Sequence, residues 1–124
     1  MSTPADGGTE RRIVLVVEDE YILAVELERA LIDVGFEVLG PASSVDHALD
    51  LLSEQRPDAA VLDVTLGRET VTPVALLLKS LEVPFVLATA LDASELARHA
   101  VFADVPNLGK PTDMTQLVNV VQGL

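Results

Sequence analysis

Pro57-Asp58-Ala59-Ala60-Val61-Leu62-Asp63-Val64-Thr65 is a short apolar run that stops on a carboxylate. Four consecutive apolar residues between polar punctuation read as a strand buried on both faces, and such strands belong to parallel sheets covered by helices. Asp63 then stands at the strand's carboxyl end, the edge of an open α/β sheet where ligands bind. In isolation the same residue reads equally well as a solvated loop aspartate, because acidic residues are frequent in this chain. Three further strand ends separate the two readings.

Upstream, residues 13–17 are an unbroken β-branched and leucine run, a first buried strand, which stops on Glu18-Asp19-Glu20. Leu23, Leu27, Ala30, Leu31 and Val34 then recur at helical spacing, with Glu26, Glu28, Arg29 and Asp33 on the other side. Gly35 closes this helix. Residues 36–39 make a second strand that Gly40-Pro41 is expected to break. Ser43 or Ser44 caps a second helix whose buried stripe is Val45, Ala48, Leu51 and Leu52, ending before Pro57. Residues 1–12 are polar, carry Pro4 and Gly7-Gly8, show no apolar period, and read as a mobile N-terminal arm ahead of one domain over residues 13–124.

Downstream, a loop over residues 65–69 leads to Thr72-Pro73, which reads as an N-cap followed by proline at the first helical position. The helix continues through Val74, Leu77, Leu78 and Leu81; apolar nearly all round, it is expected to be well covered. A fourth strand over residues 83–88 ends at Thr89. Asp92 and Glu95 fit a capping box, and Leu91 and Leu96 a hydrophobic staple, for a short alanine-rich helix. A weaker fifth strand over residues 104–108 ends on Gly109-Lys110-Pro111. Asp113 and Gln116 cap a last helix with Met114, Leu117, Val118 and Val121 inward. Strand and helix thus alternate five times, which predicts an α/β fold: a doubly wound five-stranded parallel sheet, flavodoxin-like, in the order 2-1-3-4-5, with helices on both faces.

Composition narrows the function. The 124 residues suffice for one domain with a real core, and a hydrophobic content of 49% excludes wholesale disorder. No apolar run approaches membrane-spanning length. Twenty acidic residues against 8 basic leave a formal net charge of −12, which repels nucleic-acid phosphates and anionic membranes. Cysteine is absent and no export signal is legible, so a cytoplasmic location is expected.

In the expected sheet, Glu18-Asp19, Asp63, Thr89 and Lys110 end strands one, three, four and five and converge on one cleft. Two unit charges about 4 Å apart repel by roughly 4 kcal/mol at an effective dielectric near 20. A hard divalent cation with oxygen ligands relieves Asp19 and Asp63, helped by Glu18, so the cluster reads as an Mg²⁺ site. Lys110 and Thr89 beside it supply an ammonium and a hydroxyl, the provision needed to hold a phosphoryl group. Asp63 fits the nucleophile that receives it, since carboxylates form acyl phosphates. The chain has only two lysines, Lys79 and Lys110, and one falls at the end of strand five.

Val16-Val17-Glu18-Asp19-Glu20, Val61-Leu62-Asp63, Leu87-Ala88-Thr89-Ala90 and Lys110-Pro111 together resemble the receiver domain of two-component response regulators, over residues 12–124. The resemblance implies a phosphoacceptor signalling domain and not an enzyme, limited to self-phosphorylation from small phosphodonors and self-dephosphorylation. Asp63 would take a phosphoryl group from a histidine kinase or histidine phosphotransfer protein. Asp19 and Asp63 would ligate Mg²⁺, with Glu18 acting through water and the Thr65 backbone carbonyl as a further ligand. Thr89 and Lys110 would bind phosphoryl oxygens, and Lys110-Pro111 would be a cis bond. A downstream protein target would be met at helix four, strand five and helix five. Residues 84–90 further resemble the Pro-Phe-x-Phe-Ala-Thr-Gly motif of mostly stand-alone alphaproteobacterial receivers, with Leu87 and Ala90 departing from it.

Two departures from the receiver pattern stand out. Asn107 replaces the usual aromatic residue three positions before the lysine, and Leu91, two beyond the threonine, cannot orient an attacking water. Two rivals fit less well. Haloacid-dehalogenase-type phosphatases need an acid two residues after their nucleophile, where Thr65 stands. A phosphorylation-independent receiver-like interaction module leaves Asp19, Asp63, Thr89 and Lys110 unexplained. The expectation is a stand-alone receiver acting as a protein-interaction switch or phosphate sink.

Overall fold

The computed structural model describes residues 11–124, so the expected arm lies outside the described residues except for Arg11 and Arg12. The elements are β1 (Ile13–Val17), α1 (Tyr21–Asp33), β2 (Glu37–Ala42), α2 (Val45–Glu54), β3 (Ala59–Leu62), β4 (Thr65–Leu66), β5 (Glu69–Thr70), α3 (Thr72–Ser80), β6 (Phe85–Leu87), α4 (Ala93–Leu96) and α5 (Met114–Gln122). A 3₁₀ turn over Ala100–Phe102 follows α4.

Parallel pairing gives the sheet order β2-β1-β3-β6, with Val14 opposite Ala59 and Val17 opposite Leu62. Successive side chains of a strand point to opposite faces, and both faces here are covered. Val14, Val16 and Val61 pack with Leu27, Leu31, Leu117 and Val121 beneath α1 and α5. Leu15, Val17, Ala60 and Leu62 pack with Ala48, Leu52, Val74 and Leu78 beneath α2 and α3. This is the doubly wound, flavodoxin-like architecture, with the central pair β1 and β3 buried throughout apart from Ile13 at its start. Among the described residues no helix is long and apolar enough to cross a membrane.

Three helix starts follow from local capping. Ser44 Oγ accepts from the His47 N–H at 3.1 Å, Asp113 Oδ1 from the Gln116 N–H at 3.1 Å, and Asp92 and Glu95 complete a capping box. The Asp92 carboxyl is held below its usual range, first by the Glu95 N–H and then by the Ser94 hydroxyl. At the other end of the chain, Arg12 donates to the main-chain oxygens of Gln122 (3.2 Å) and Leu124 (2.6 Å) and lies over the Phe36 ring.

The structure differs from the sequence expectation in four places. The fifth strand is reduced to one parallel bridge between Leu87 and Asn107. Asp104 takes the left-handed region (φ 63°) and Pro106 lacks an N–H, so residues 104–106 cannot sustain a ladder. Gly40-Pro41 does not break β2: the strand runs through it to Ala42, with a register shift against β1 absorbed where Gly40 adopts φ 93°. Both Gly40-Pro41 and Lys110-Pro111 are cis. Val71, not Thr72, occupies the N-cap of α3, no side chain caps it, and Leu76 on this helix is exposed. The loop after β3 is a short antiparallel hairpin, β4-β5, closed around Gly67.

Candidate functional site

The strand ladders extend to the site itself. The Glu18 N–H donates to Ala42 O and the Asp63 N–H to Val17 O, both at 2.9 Å, so the two acids leave adjacent strand ends on a fixed backbone. Lys110 comes from the turn before α5. Its Nζ lies 2.7 Å from Asp63 Oδ2, 3.2 Å and 3.3 Å from the two oxygens of Glu18, and also bonds Glu20 Oε1. One ammonium thus serves three carboxylates. Glu18, Asp63 and Thr89 are the buried polar side chains among the described residues, while Glu20 is exposed.

Burial pushes the Glu18 carboxyl above its ordinary range, and the neighbouring Asp63 charge adds to this; the Glu20 N–H and Lys110 oppose it without cancelling it. Burial also acts to depress the Lys110 ammonium, but its hydrogen bonds to Asp63 and Glu20 and the charges of Asp63 and Glu18 outweigh it. Lys110 therefore titrates above the usual lysine range and is charged at neutral pH.

The expected site residues are not all placed alike. Asp63, Glu18 and Lys110 meet directly. Asp19 is exposed and its Oδ2 accepts from the Gly67 N–H at 2.8 Å, clasping the hairpin. Thr65 lies in β4 opposite Thr70. Thr89 follows the end of β6, beside Asp63 because Leu62 pairs with Leu87, and its Oγ1 accepts from the Leu91 N–H at 3.4 Å. The carboxylate oxygens that gather within 4.8 Å of one another belong to Glu18, Glu20 and Asp63. Glu20 received no role from the sequence, although it stands in the Glu18-Asp19-Glu20 run; as the N-cap of α1 it turns back over the sheet edge.

These donors fit a hard divalent cation: they are all oxygens and negatively charged. Glu18 Oε2 accepts from the Glu20 N–H (2.9 Å) and from Lys110, whereas Glu18 Oε1 is buried without a hydrogen bond, although Lys110 lies 3.2 Å away. A buried carboxylate oxygen left unpaired is costly, and a cation would satisfy it. Beside the cluster lies an open groove of about 830 Å³, bordered by Glu20, Tyr21, Ile22, Lys110, Pro111 and Met114, with Tyr21 and Ile22 highly exposed.

A family model described as the response regulator receiver domain matches residues 14–122. The transcriptional regulatory protein PdtaR of Mycobacterium tuberculosis is 29% identical over 98% of this chain and 60% of its own length. The phyllosphere-induced regulator PhyR of Methylorubrum extorquens is 36% identical over 69% of this chain and 32% of its own. The chain spans 60% or less of the length of these curated relatives. A response regulator receiver protein from Sinorhizobium medicae superimposes with a TM-score of 0.81 at 29% identity, covering 92% of this chain and 94% of that one. With the match spanning both central strands, the acidic cluster at their ends and the Lys110 turn, the chain belongs to the response regulator receiver domain family of two-component systems.

Proposed function

We propose that Asp63 accepts a phosphoryl group from the phosphohistidine of a histidine kinase or phosphotransfer protein, and that the chain acts as an Mg²⁺-dependent protein-interaction switch or phosphate sink. The observation that carries this reading is the pairing of a buried carboxylate with a partly buried ammonium at a strand end: Asp63 Oδ2 lies 2.7 Å from Lys110 Nζ. An oxygen of Asp63 attacks phosphorus, forming the P–O bond as the P–N bond breaks. The electron pair returns to the imidazole nitrogen, and imidazole leaves neutral when its second nitrogen carries a proton. Lys110 shifts its hydrogen bonds from carboxylate to phosphoryl oxygens, and the Thr89 hydroxyl donates to another of them. Glu18, Glu20, Asp63 and, by resemblance, Asp19 and the Thr65 carbonyl are the residues that would hold Mg²⁺, which supplies positive charge against the phosphoryl oxygens. The groove at Tyr21 and Ile22 offers an apolar footing beside the acceptor for the phosphodonor.

The test is intact mass after incubation with Mg²⁺ and acetyl phosphate, for the wild type and Asp63→Asn. A single phosphoryl gain in the wild type, absent from the variant, is expected. An equal gain in both, or none in the wild type at any Mg²⁺ concentration, overturns the proposal.

A further inference from the structure

Asn107 stands where the sheet runs out. The Leu87 N–H donates to Pro106 O and the Leu108 N–H to Leu87 O, both at 2.8 Å, and there the main-chain pairing of β6 stops. The next outward N–H, that of Thr89, goes to the Asn107 side chain: Oδ1 accepts from it at 3.1 Å and from the Gly109 N–H at 3.0 Å. Nδ2 reaches the carbonyls of Thr89 at 3.3 Å and Leu91 at 3.4 Å. Rotating the amide by half a turn would set its NH₂ against two N–H donors and its oxygen against two carbonyls, so the bonding pattern itself fixes the orientation.

One planar group therefore joins two segments that the site needs. Thr89 and Leu91 belong to the loop that carries the hydroxyl. Gly109 immediately precedes Lys110. Because Oδ1 and Nδ2 lie on one rigid amide, a movement of the Leu91 carbonyl tilts the plane that holds the Gly109 N–H. The Thr89 hydroxyl oxygen, in turn, accepts from the Leu91 N–H. A continuous path runs from the Thr89 hydroxyl through the Leu91 main chain, from its N–H to its carbonyl, and the Asn107 amide to the Lys110 turn.

We propose that Asn107 is the positioning residue that couples Thr89 to Lys110, through hydrogen bonds. This deepens the phosphoacceptor reading and rests on it for its purpose, though not for its geometry. When the Thr89 hydroxyl turns to a phosphoryl oxygen, the Leu91 N–H loses its acceptor, the main chain at Leu91 shifts and its carbonyl with it, and Asn107 carries the shift to Gly109 and Lys110. Asn107 also borders a groove of about 410 Å³ with Ala93, Leu96, Phe102 and Val105, so the state of Thr89 reaches the surface at that groove.

A double-mutant cycle read by backbone amide NMR tests the coupling without requiring phosphorylation. Thr89→Ala removes the hydroxyl and is expected to move the Gly109 amide resonance in the wild-type background. The same substitution in Asn107→Leu is expected to leave Gly109 in place while Leu91 still responds. Asn107→Asp keeps the acceptor oxygen for Gly109 but no longer donates to Leu91, and is also expected to lose the transmitted shift while Gly109 stays protected from hydrogen exchange. A Gly109 response to Thr89→Ala of the same size in all three backgrounds, or none in the wild type, overturns the proposal. Failure of the wild type to take a phosphoryl group from acetyl phosphate would sink the phosphoacceptor reading and leave the cycle to decide the coupling.

Discussion

Glu18 is the residue whose burial at the strand end works against stability. Its carboxyl is held above the ordinary glutamate value of 4.5, mainly by burial. The folded state therefore binds this proton more tightly than the unfolded chain does. The corresponding stability is fully present below 4.5 and is lost as the pH rises through the raised folded value. Glu18→Gln removes that loss, so the Mg²⁺-free variant should be more stable than the wild type at neutral pH and show a flatter pH dependence of Tm above the glutamate range. Calorimetry across pH checks this; a neutral-pH Tm at or below the wild type contradicts it. Added Mg²⁺ should raise the wild-type Tm more than that of the variant. On the proposed phosphoacceptor role, Leu91 would govern the later fate of the phosphoryl group. Half-buried and apolar, it has no group to orient water, so the acyl phosphate should persist for minutes or longer in the isolated protein. Leu91→Asn should speed its loss about tenfold, roughly 1.4 kcal/mol of barrier. Decay of the wild-type acyl phosphate within seconds, followed by mass spectrometry, would refute this.

At the scale of the elements, β2 depends on one glycine. Gly40 has φ 93°, and a Cβ there would meet Ala42 N at 2.7 Å and Val16 O at 3.1 Å, both backbone atoms that cannot give way cheaply. Gly40→Ala should cost about 1–3 kcal/mol, seen as a lower urea midpoint at unchanged slope. No change in midpoint would mean that the bulge relaxes without strain. The β4-β5 hairpin is the other element tied to the site, because its Gly67 N–H holds Asp19. Any turn of Asp19 toward the cluster must give up that hydrogen bond, so the hairpin and the proposed metal site would be linked through one carboxylate.

The whole molecule carries a formal net charge of −12 on 124 residues, and the compact state concentrates that charge. Screening shortens from about 30 Å at 0.01 M salt to about 8 Å at 0.15 M, so self-repulsion relaxes over that range. Raising NaCl from the lower to the higher concentration should increase Tm by a few degrees, about 1 kcal/mol for a domain of this size. A fall in Tm would show that salt weakens the Lys110 ion pairs more than it relieves the acidic surface. The same charge favours partners that present basic surface, since like-charged encounters are suppressed.

The alternation of apolar runs and helical stripes was enough to place β1, α1, α2, β3, β6 and α5 and to infer the parallel, doubly wound sheet, because two-sided burial demands continuous apolar strands and that demand is written locally. The positions of Asp63, Glu18, Thr89 and Lys110 at one edge of the sheet were legible for the same reason: each directly follows, or stands near the end of, a segment whose period identifies it. What stayed illegible depended on contacts between segments. That Gly40-Pro41 would bend β2 and not end it rests on pairing with β1, and that residues 104–108 would keep a single bridge rests on Asp104 adopting a left-handed conformation. Glu20 joined the cluster only because Lys110, ninety residues away in the chain, folds against it. Asn107 reads in the sequence as a missing aromatic residue. Only the tertiary structure, by ending the ladder beside it and leaving the N–H of Thr89 without a main-chain partner, made its amide the link between Thr89 and Lys110.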